Sequence, residues 1–172
     1  KLNWEPSSLK KKSLPYSRQL IDEEDIEAVV RTLRSDWLTT GPQVEEFEKR
    51  FATEVNADYA IACSSGTAAL HLLYIANNIG PGDYVIIPSM TFLATANAVR
   101  YSGAEIIFSD VDPNNGLMNA SHFEDAIKRS TNKNIKAICA VHLNGQCVDM
   151  GGFSDKIDEL VILEDACHSL GA

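Results

Sequence analysis

Five short apolar runs recur along this chain at nearly even spacing, each followed by polar or small residues. They are Tyr59–Cys63, Tyr84–Ile87, Glu105–Phe108, Ile135–Val141 and Leu160–Leu163, and their starts lie 25, 21, 30 and 25 residues apart. Helix-like stretches fill the gaps, at Thr67–Ala76, Leu93–Tyr101, Ala120–Lys128 and, more weakly, near Gly152–Ile157. Gly80-Pro81-Gly82-Asp83 and Asp112-Pro113-Asn114-Asn115-Gly116 punctuate the chain as turns. A strand, a helix and a strand at this spacing require a crossover connection. The chain is therefore expected to be α/β, with a mostly parallel sheet and helices on both faces.

The first third reads differently. Residues 1–15 form a polar lead with Lys10-Lys11-Lys12 between Pro6 and Pro15, read as an extended, solvated tail. At 21–34 a helix is predicted. Asp22 is placed to cap it, and Glu23, Glu24 and Asp25 put negative charge in its first turn. Ile26, Val29, Val30 and Leu33 then make one apolar stripe. A loop with Trp37 and Leu38-Thr39-Thr40-Gly41-Pro42 leads into a second helix, with Val44, Phe47 and Phe51 on one face.

Composition excludes several classes. A net charge of −9 makes the chain a poor partner for nucleic acid or an anionic membrane. No apolar run reaches the roughly 20 residues of a membrane span, and no secretory signal pattern opens the chain. The four cysteines form no CxxC pair and no zinc spacing, so no metal is expected. Apart from Cys147 they lie in or beside apolar runs, which predicts reduced, mostly buried thiols and a cytoplasmic setting. The chain opens on Lys1 rather than Met, and reads as part of something longer.

In an open parallel sheet, ligands bind beyond the carboxyl ends of the strands. There the sequence places Ser64-Ser65-Gly66-Thr67, then Phe92, then Asp165 and His168. The first run either cradles an anion at a helix N-terminus or simply caps that helix through Ser65. Phe92 either stacks on a flat ring or belongs to the core. Asp165 either holds a cationic partner or caps a following helix, and His168 either contacts the same ligand or is a satisfied histidine. Their order along the chain is cradle, aromatic plate, then carboxylate with histidine.

With those residues in place, the chain resembles the nucleotide-sugar aminotransferases of the DegT/DnrJ/StrS group, fold type I enzymes dependent on pyridoxal 5′-phosphate. The resemblance runs from Leu14 to Ala172. It rests on Pro15-Tyr16-Ser17-Arg18-Gln19, Leu38–Pro42, Ser65–Leu70, Thr91–Asn97, Asp110-Val111-Asp112, Val141–Gln146 and Glu164–Ala172. It implies that residues 16–172 are the N-terminal part of the cofactor-binding large domain, with its last strands and a small C-terminal domain outside this stretch.

The same resemblance implies the roles. Gly66 and Thr67 would bind the cofactor phosphate, Phe92 would stack on the pyridine ring, and Asp165 would pair with the ring nitrogen. His168 stands where many members carry Gln and would contact the phenolic oxygen. The activity implied is transfer of an amino group, typically from glutamate, to a nucleotide-linked keto-sugar in amino-sugar and polysaccharide biosynthesis. The family's Schiff-base lysine lies in a downstream Ser-x-His-x-x-Lys segment absent from these 172 residues, so this stretch alone is expected to be inactive. Two other readings stand beside this one. They are a sugar dehydratase of the same family with His at the lysine position, and a non-catalytic α/β nucleotide-binding or interaction domain. Family members are homodimers, and Trp37 beside Leu38–Pro42 agrees with a covered interface. The complete protein is therefore expected to dimerise, and this stretch alone to self-associate or be unstable.

Overall fold

The computed structural model describes residues 19–154 and 160–172. Its elements are α1 (Glu23–Leu33), α2 (Pro42–Glu54), α3 (Gly66–Ala76), β1 (Tyr84–Pro88), α4 (Leu93–Tyr101), β2 (Glu105–Ser109), α5 (Ala120–Lys128), β3 (Ile135–Val141), α6 (Gly151–Ser154) and β4 (Val161–Asp165). The strands form one sheet in the order β2-β1-β3-β4, and every pairing is parallel. Because β2 lies on one side of β1 and β3 on the other, the order reverses between β1 and β3. Such a switch point opens a crevice at the strands' carboxyl ends.

The pleat divides the core in two. Val85 and Ile87 of β1, Ala137 and Cys139 of β3, and Leu163 of β4 pack against Leu70 and Tyr74 of α3 and Ala98 and Val99 of α4. The alternate residues Ile86, Ile107, Ile138 and Ala140 turn to the opposite face, under Phe123 and Ala126 of α5 with Phe153. Both faces are thus covered, as continuous apolar strands require.

Local chemistry sets the helix ends. The Asp22 carboxylate accepts from the Glu24 and Asp25 N–H groups, while Asp25 accepts from the Asp22 N–H, a reciprocal cap. Asn119 and His122 cap α5 in the same way. Pro42 occupies the first turn of α2, where its missing N–H costs nothing.

Several expectations need correction. Tyr59–Cys63 is no strand. A strand requires a neighbour's ladder, and none of the four described strands pairs with this segment. Tyr59 and Ile61 are 87% and 83% exposed, and the Ala62 N–H donates instead to Glu48 Oε1 at 2.7 Å. Of the cysteines only Cys139 is buried; Cys63 and Cys167 are exposed along with Cys147, since the turns holding them lie on the surface. The helix expected near Gly152–Ile157 appears as Gly151–Ser154, and residues 155–159 lie outside the described residues. So do the lead at 1–15 and all but the last residue of Pro15–Gln19. Helix α1 forms as expected, yet its stripe is uncovered: Ile26, Val29 and Leu33 are exposed and the helix buries no residue.

One buried group is unsatisfied. The Tyr74 hydroxyl lies fully inside the α3 face without a hydrogen-bond partner, the single such side chain among the described residues. Its neighbours are the Cys139 thiol, a weak partner, and the Asp165 carboxylate; burial first, then these groups, push its pKa upward. Tyr74→Phe is therefore expected to stabilise the fold by about 1 kcal/mol, because the aromatic packing stays while an unpaired polar atom leaves. That corresponds to a rise of roughly 2–4 °C in Tm for a chain of this size, and a fall would contradict it.

Candidate active site

A cavity of about 360 Å³ opens at the carboxyl ends of β1, β3 and β4, facing the N-terminus of α3. Gly66, Thr67, Phe92, Asp165 and His168, singled out at four separate places in the sequence, all line it.

The α3 wall comes from a capped helix start. The Ser65 hydroxyl accepts from the Ala68 N–H at 3.2 Å, and the Ser65 carbonyl accepts from Ala69. Gly66 and Thr67, the first two helical residues, are left with N–H groups that have no intrahelical acceptor. Ser65 thus caps the helix, and the cap leaves two donors at the mouth of a cavity.

Gly66 packs against the turn after β4. A Cβ at this position would stand 2.7 Å from Cys167 Sγ, closer than real contacts allow. Gly66→Ala should push α3 away from the turn after β4 and cost about 1–3 kcal/mol by overpacking. Cys167→Gly removes the clashing sulfur, so the double variant should regain most of that loss in a thermal melt. An equal loss in both backgrounds would contradict the contact.

Asp165 forms the floor. It is the last residue of β4, so the strand runs two residues beyond the apolar Val161-Ile162-Leu163, and its side chain is 7% exposed. Its Oδ2 accepts from the Thr95 hydroxyl at 2.7 Å, and its Oδ1 from the Cys167 N–H at 3.4 Å. Its titratable neighbours Tyr74, Cys139 and Cys167 carry no positive charge. Among the described residues no basic group forms an ion pair with it. Burial, then the Asp165 carboxylate, pushes the Cys167 thiol up to about 11, so that sulfur stays protonated at neutral pH. Burial pushes Cys139 up to about 12.

Phe92 precedes α4 and is 71% exposed, so it is a cavity wall rather than a core residue. His168 lies in the turn after β4. Its Nδ1 accepts from the Asn144 N–H at 3.4 Å, so the neutral ring carries its proton on Nε2, a free donor. Asn144 is held in place by a clamp on its own loop. Buried His142 accepts the Val148 N–H on Nδ1 at 3.0 Å and meets Glu164 Oε2 through Nε2 at 2.7 Å. The sequence reading assigns Thr91, Thr95 and His142 no role of their own. Thr91 stands just before α4 and Thr95 in its first turn, and their hydroxyls meet at 2.7 Å.

A larger open hollow of about 740 Å³ lies beside Trp37, Thr40, Gly41, Pro42, Glu45 and Glu48. It gathers none of the five residues above. Among the described residues no helix is long and apolar enough to cross a membrane, and no cluster of His, Cys, Asp and Glu is arranged to hold a metal ion.

Comparison with known proteins places these features in context. The sequence model of the DegT/DnrJ/EryC1/StrS aminotransferase family matches residues 19–172. The spore coat polysaccharide biosynthesis protein SpsC of Bacillus subtilis (strain 168) is 43% identical over 159 residues, which is 91% of this chain and 40% of SpsC. A UDP-4-amino-4-deoxy-L-arabinose–oxoglutarate aminotransferase of Shewanella sediminis (strain HAW-EB3) is 40% identical over 160 residues, 92% of this chain and 40% of the enzyme. The chain thus spans about two fifths of the length of these curated relatives. Among solved structures, the putative sugar aminotransferase Spr1654 from Streptococcus pneumoniae in its PMP form superposes with a TM-score of 0.81 at 31% identity. That match covers 92% of this chain and 43% of the other. The same protein is also known in a PLP form.

Proposed function

The chain belongs to the DegT/DnrJ/EryC1/StrS aminotransferase family, and we propose that it supplies the cofactor wall of a pyridoxal 5′-phosphate enzyme. That enzyme moves an amino group from an amino acid, glutamate foremost, to a nucleotide-linked keto-sugar for amino-sugar and polysaccharide biosynthesis. On this reading residues 16–172 are the N-terminal part of the cofactor-binding domain.

One observation carries the reading: a buried carboxylate, Asp165, stands at a cavity floor with no ion-pair partner among the described residues. A buried charge is costly unless it is paired. The protonated nitrogen of a pyridine ring is a cation of suitable size and shape, and it can donate a hydrogen bond to the carboxylate. The residues around Asp165 fit the rest of the group. The free N–H groups of Gly66 and Thr67, with the Thr67 hydroxyl, suit its phosphate, and the open face of Phe92 suits its ring. The Nε2–H of His168 suits the phenolic oxygen.

When bound, the cofactor acts as an electron sink for the carbon bearing the amino group. Asp165 would hold a proton on the ring nitrogen, without which the sink is shallow. His168 would donate to the phenolic oxygen and help to orient the ring. Phe92 would offer its open face to the ring and exclude water there. No lysine lines the cavity among the described residues. On this reading the family's Schiff-base lysine would come from outside these 172 residues and would carry the proton shuttle.

The uncovered side chains of α1 and its following loop, including Ile26, Val29, Leu33, Trp37 and Leu38, support a homodimer that hides them. Free cysteines support a cytoplasmic setting. The test uses the full-length protein with pyridoxal phosphate and L-glutamate. The expected result is conversion of the bound cofactor to its amine form, followed by return of the aldehyde form when a nucleotide-linked keto-sugar is added. Sedimentation of the same sample should show a dimer. Absence of conversion with any amino acid donor would overturn the proposed activity, and a monomer would overturn the proposed assembly.

A further inference from the structure

We infer that Thr95 is the positioning residue for Asp165, with Thr91 as its support. This rests on the proposed function and adds to it the device that aims the carboxylate. Thr95 is fully buried on α4, while Asp165 ends β4, 70 residues later in the chain. Their bond is 2.7 Å long, and the Thr91 hydroxyl lies 2.7 Å from that of Thr95.

Proton counting gives the chain a direction. An ionised carboxylate accepts only, so the one proton of the Thr95 hydroxyl goes to Oδ2. The Thr95 oxygen then receives the proton of Thr91. The result is a relay, Thr91 to Thr95 to Asp165, in which each bond polarises the next. Oδ2 is thereby fixed, and Oδ1, which accepts the 3.4 Å bond from the Cys167 N–H, keeps lone-pair capacity for a donor in the cavity. The other groups facing the carboxylate are the Tyr74 hydroxyl from α3, the Cys139 thiol from β3 and the Cys167 thiol from the following turn. With no cation among them, Thr95 is the side chain that orients Asp165.

The test is a double-mutant cycle in the full-length protein, read as affinity for pyridoxamine 5′-phosphate, which binds without a covalent link. Thr95→Val should weaken binding about tenfold, the usual size of a lost hydrogen bond to a charged group. Thr95→Ser, which keeps the hydroxyl, should bind within about twofold of the unaltered protein. Thr91→Val, at a half-buried position, should shift affinity in the same direction by less. In an Asp165→Asn background the Thr95→Val effect should vanish, because Thr95 acts through the carboxylate. Thermal melts run alongside identify a merely structural role, which would lower Tm and leave the affinity of the folded protein unchanged. Unaltered affinity in Thr95→Val, or equal weakening in both backgrounds, would overturn the inference alone. If Asp165→Asn itself bound as tightly as the unaltered protein, the proposed function would fall and this inference with it.

Discussion

Asp165→Asn in the full-length protein is expected to lower kcat/KM for amino transfer by roughly 10²–10³-fold, the usual cost of losing one preorganised electrostatic group at a reacting centre. The substitution is nearly isosteric. Its amide oxygen can still accept from Thr95 at the buried end, so the fold should stay within about 1 kcal/mol of the original. An amide carries no charge and cannot hold a proton on a ring nitrogen. Activity should fall while the melting curve barely moves. Steady-state kinetics with glutamate and a nucleotide-linked keto-sugar, paired with a thermal melt, checks both halves. Turnover near the original rate would show that the buried carboxylate is not the group that matters.

How much of this was legible in the sequence differs by element, and the reasons are physical. Helices α4 and α5 begin and end where the sequence pattern puts them: Asn119 caps the start of α5, and Ser102-Gly103 and Arg129-Ser130 stop the two helices locally. The strands β1 to β4 were readable from their apolar runs because each finds a parallel neighbour. Tyr59–Cys63 has the same composition and no such neighbour among the described strands, and nothing local in a sequence reports whether a ladder is available. The stripe on α1 was also readable, but what covers it is not a property of α1.

Three of the cavity residues answer to one rule, that strand ends gather ligands: Asp165 ends β4, His168 follows it, and Phe92 follows β1. Gly66 and Thr67 answer to it only through Tyr59–Cys63, which is no strand, and the start of α3 is what brings them to the cavity. The rule passes over Thr95, one turn into a helix, whose meaning depends on a contact with a residue 70 positions away. The same limit hid the approach of Cys167 to Gly66.

Phe123→Ala is the second large effect expected, and it should fall on stability instead of chemistry. Phe123 of α5 is fully buried, its ring centroid 5.8 Å from that of Phe153, and both belong to the sheet face opposite α3 and α4. Truncating a buried phenylalanine costs roughly 3–5 kcal/mol through lost transfer energy and the cavity left behind. Against a typical total of about 5–15 kcal/mol, that leaves a protein close to its unfolding threshold. The candidate cavity, however, is walled by α3, Phe92 and the ends of β3 and β4, and Phe123 is not among its lining residues. Urea denaturation should therefore show a midpoint displaced far to lower concentration with an unaltered slope. The fraction that remains folded should bind pyridoxamine 5′-phosphate as tightly as before. If affinity fell in proportion to stability, the two faces of the sheet would be coupled, and the separation argued from the pleat would be wrong. The pair of variants thus tests the architecture from both directions: Asp165→Asn removes function from an intact fold, and Phe123→Ala removes stability from an intact site.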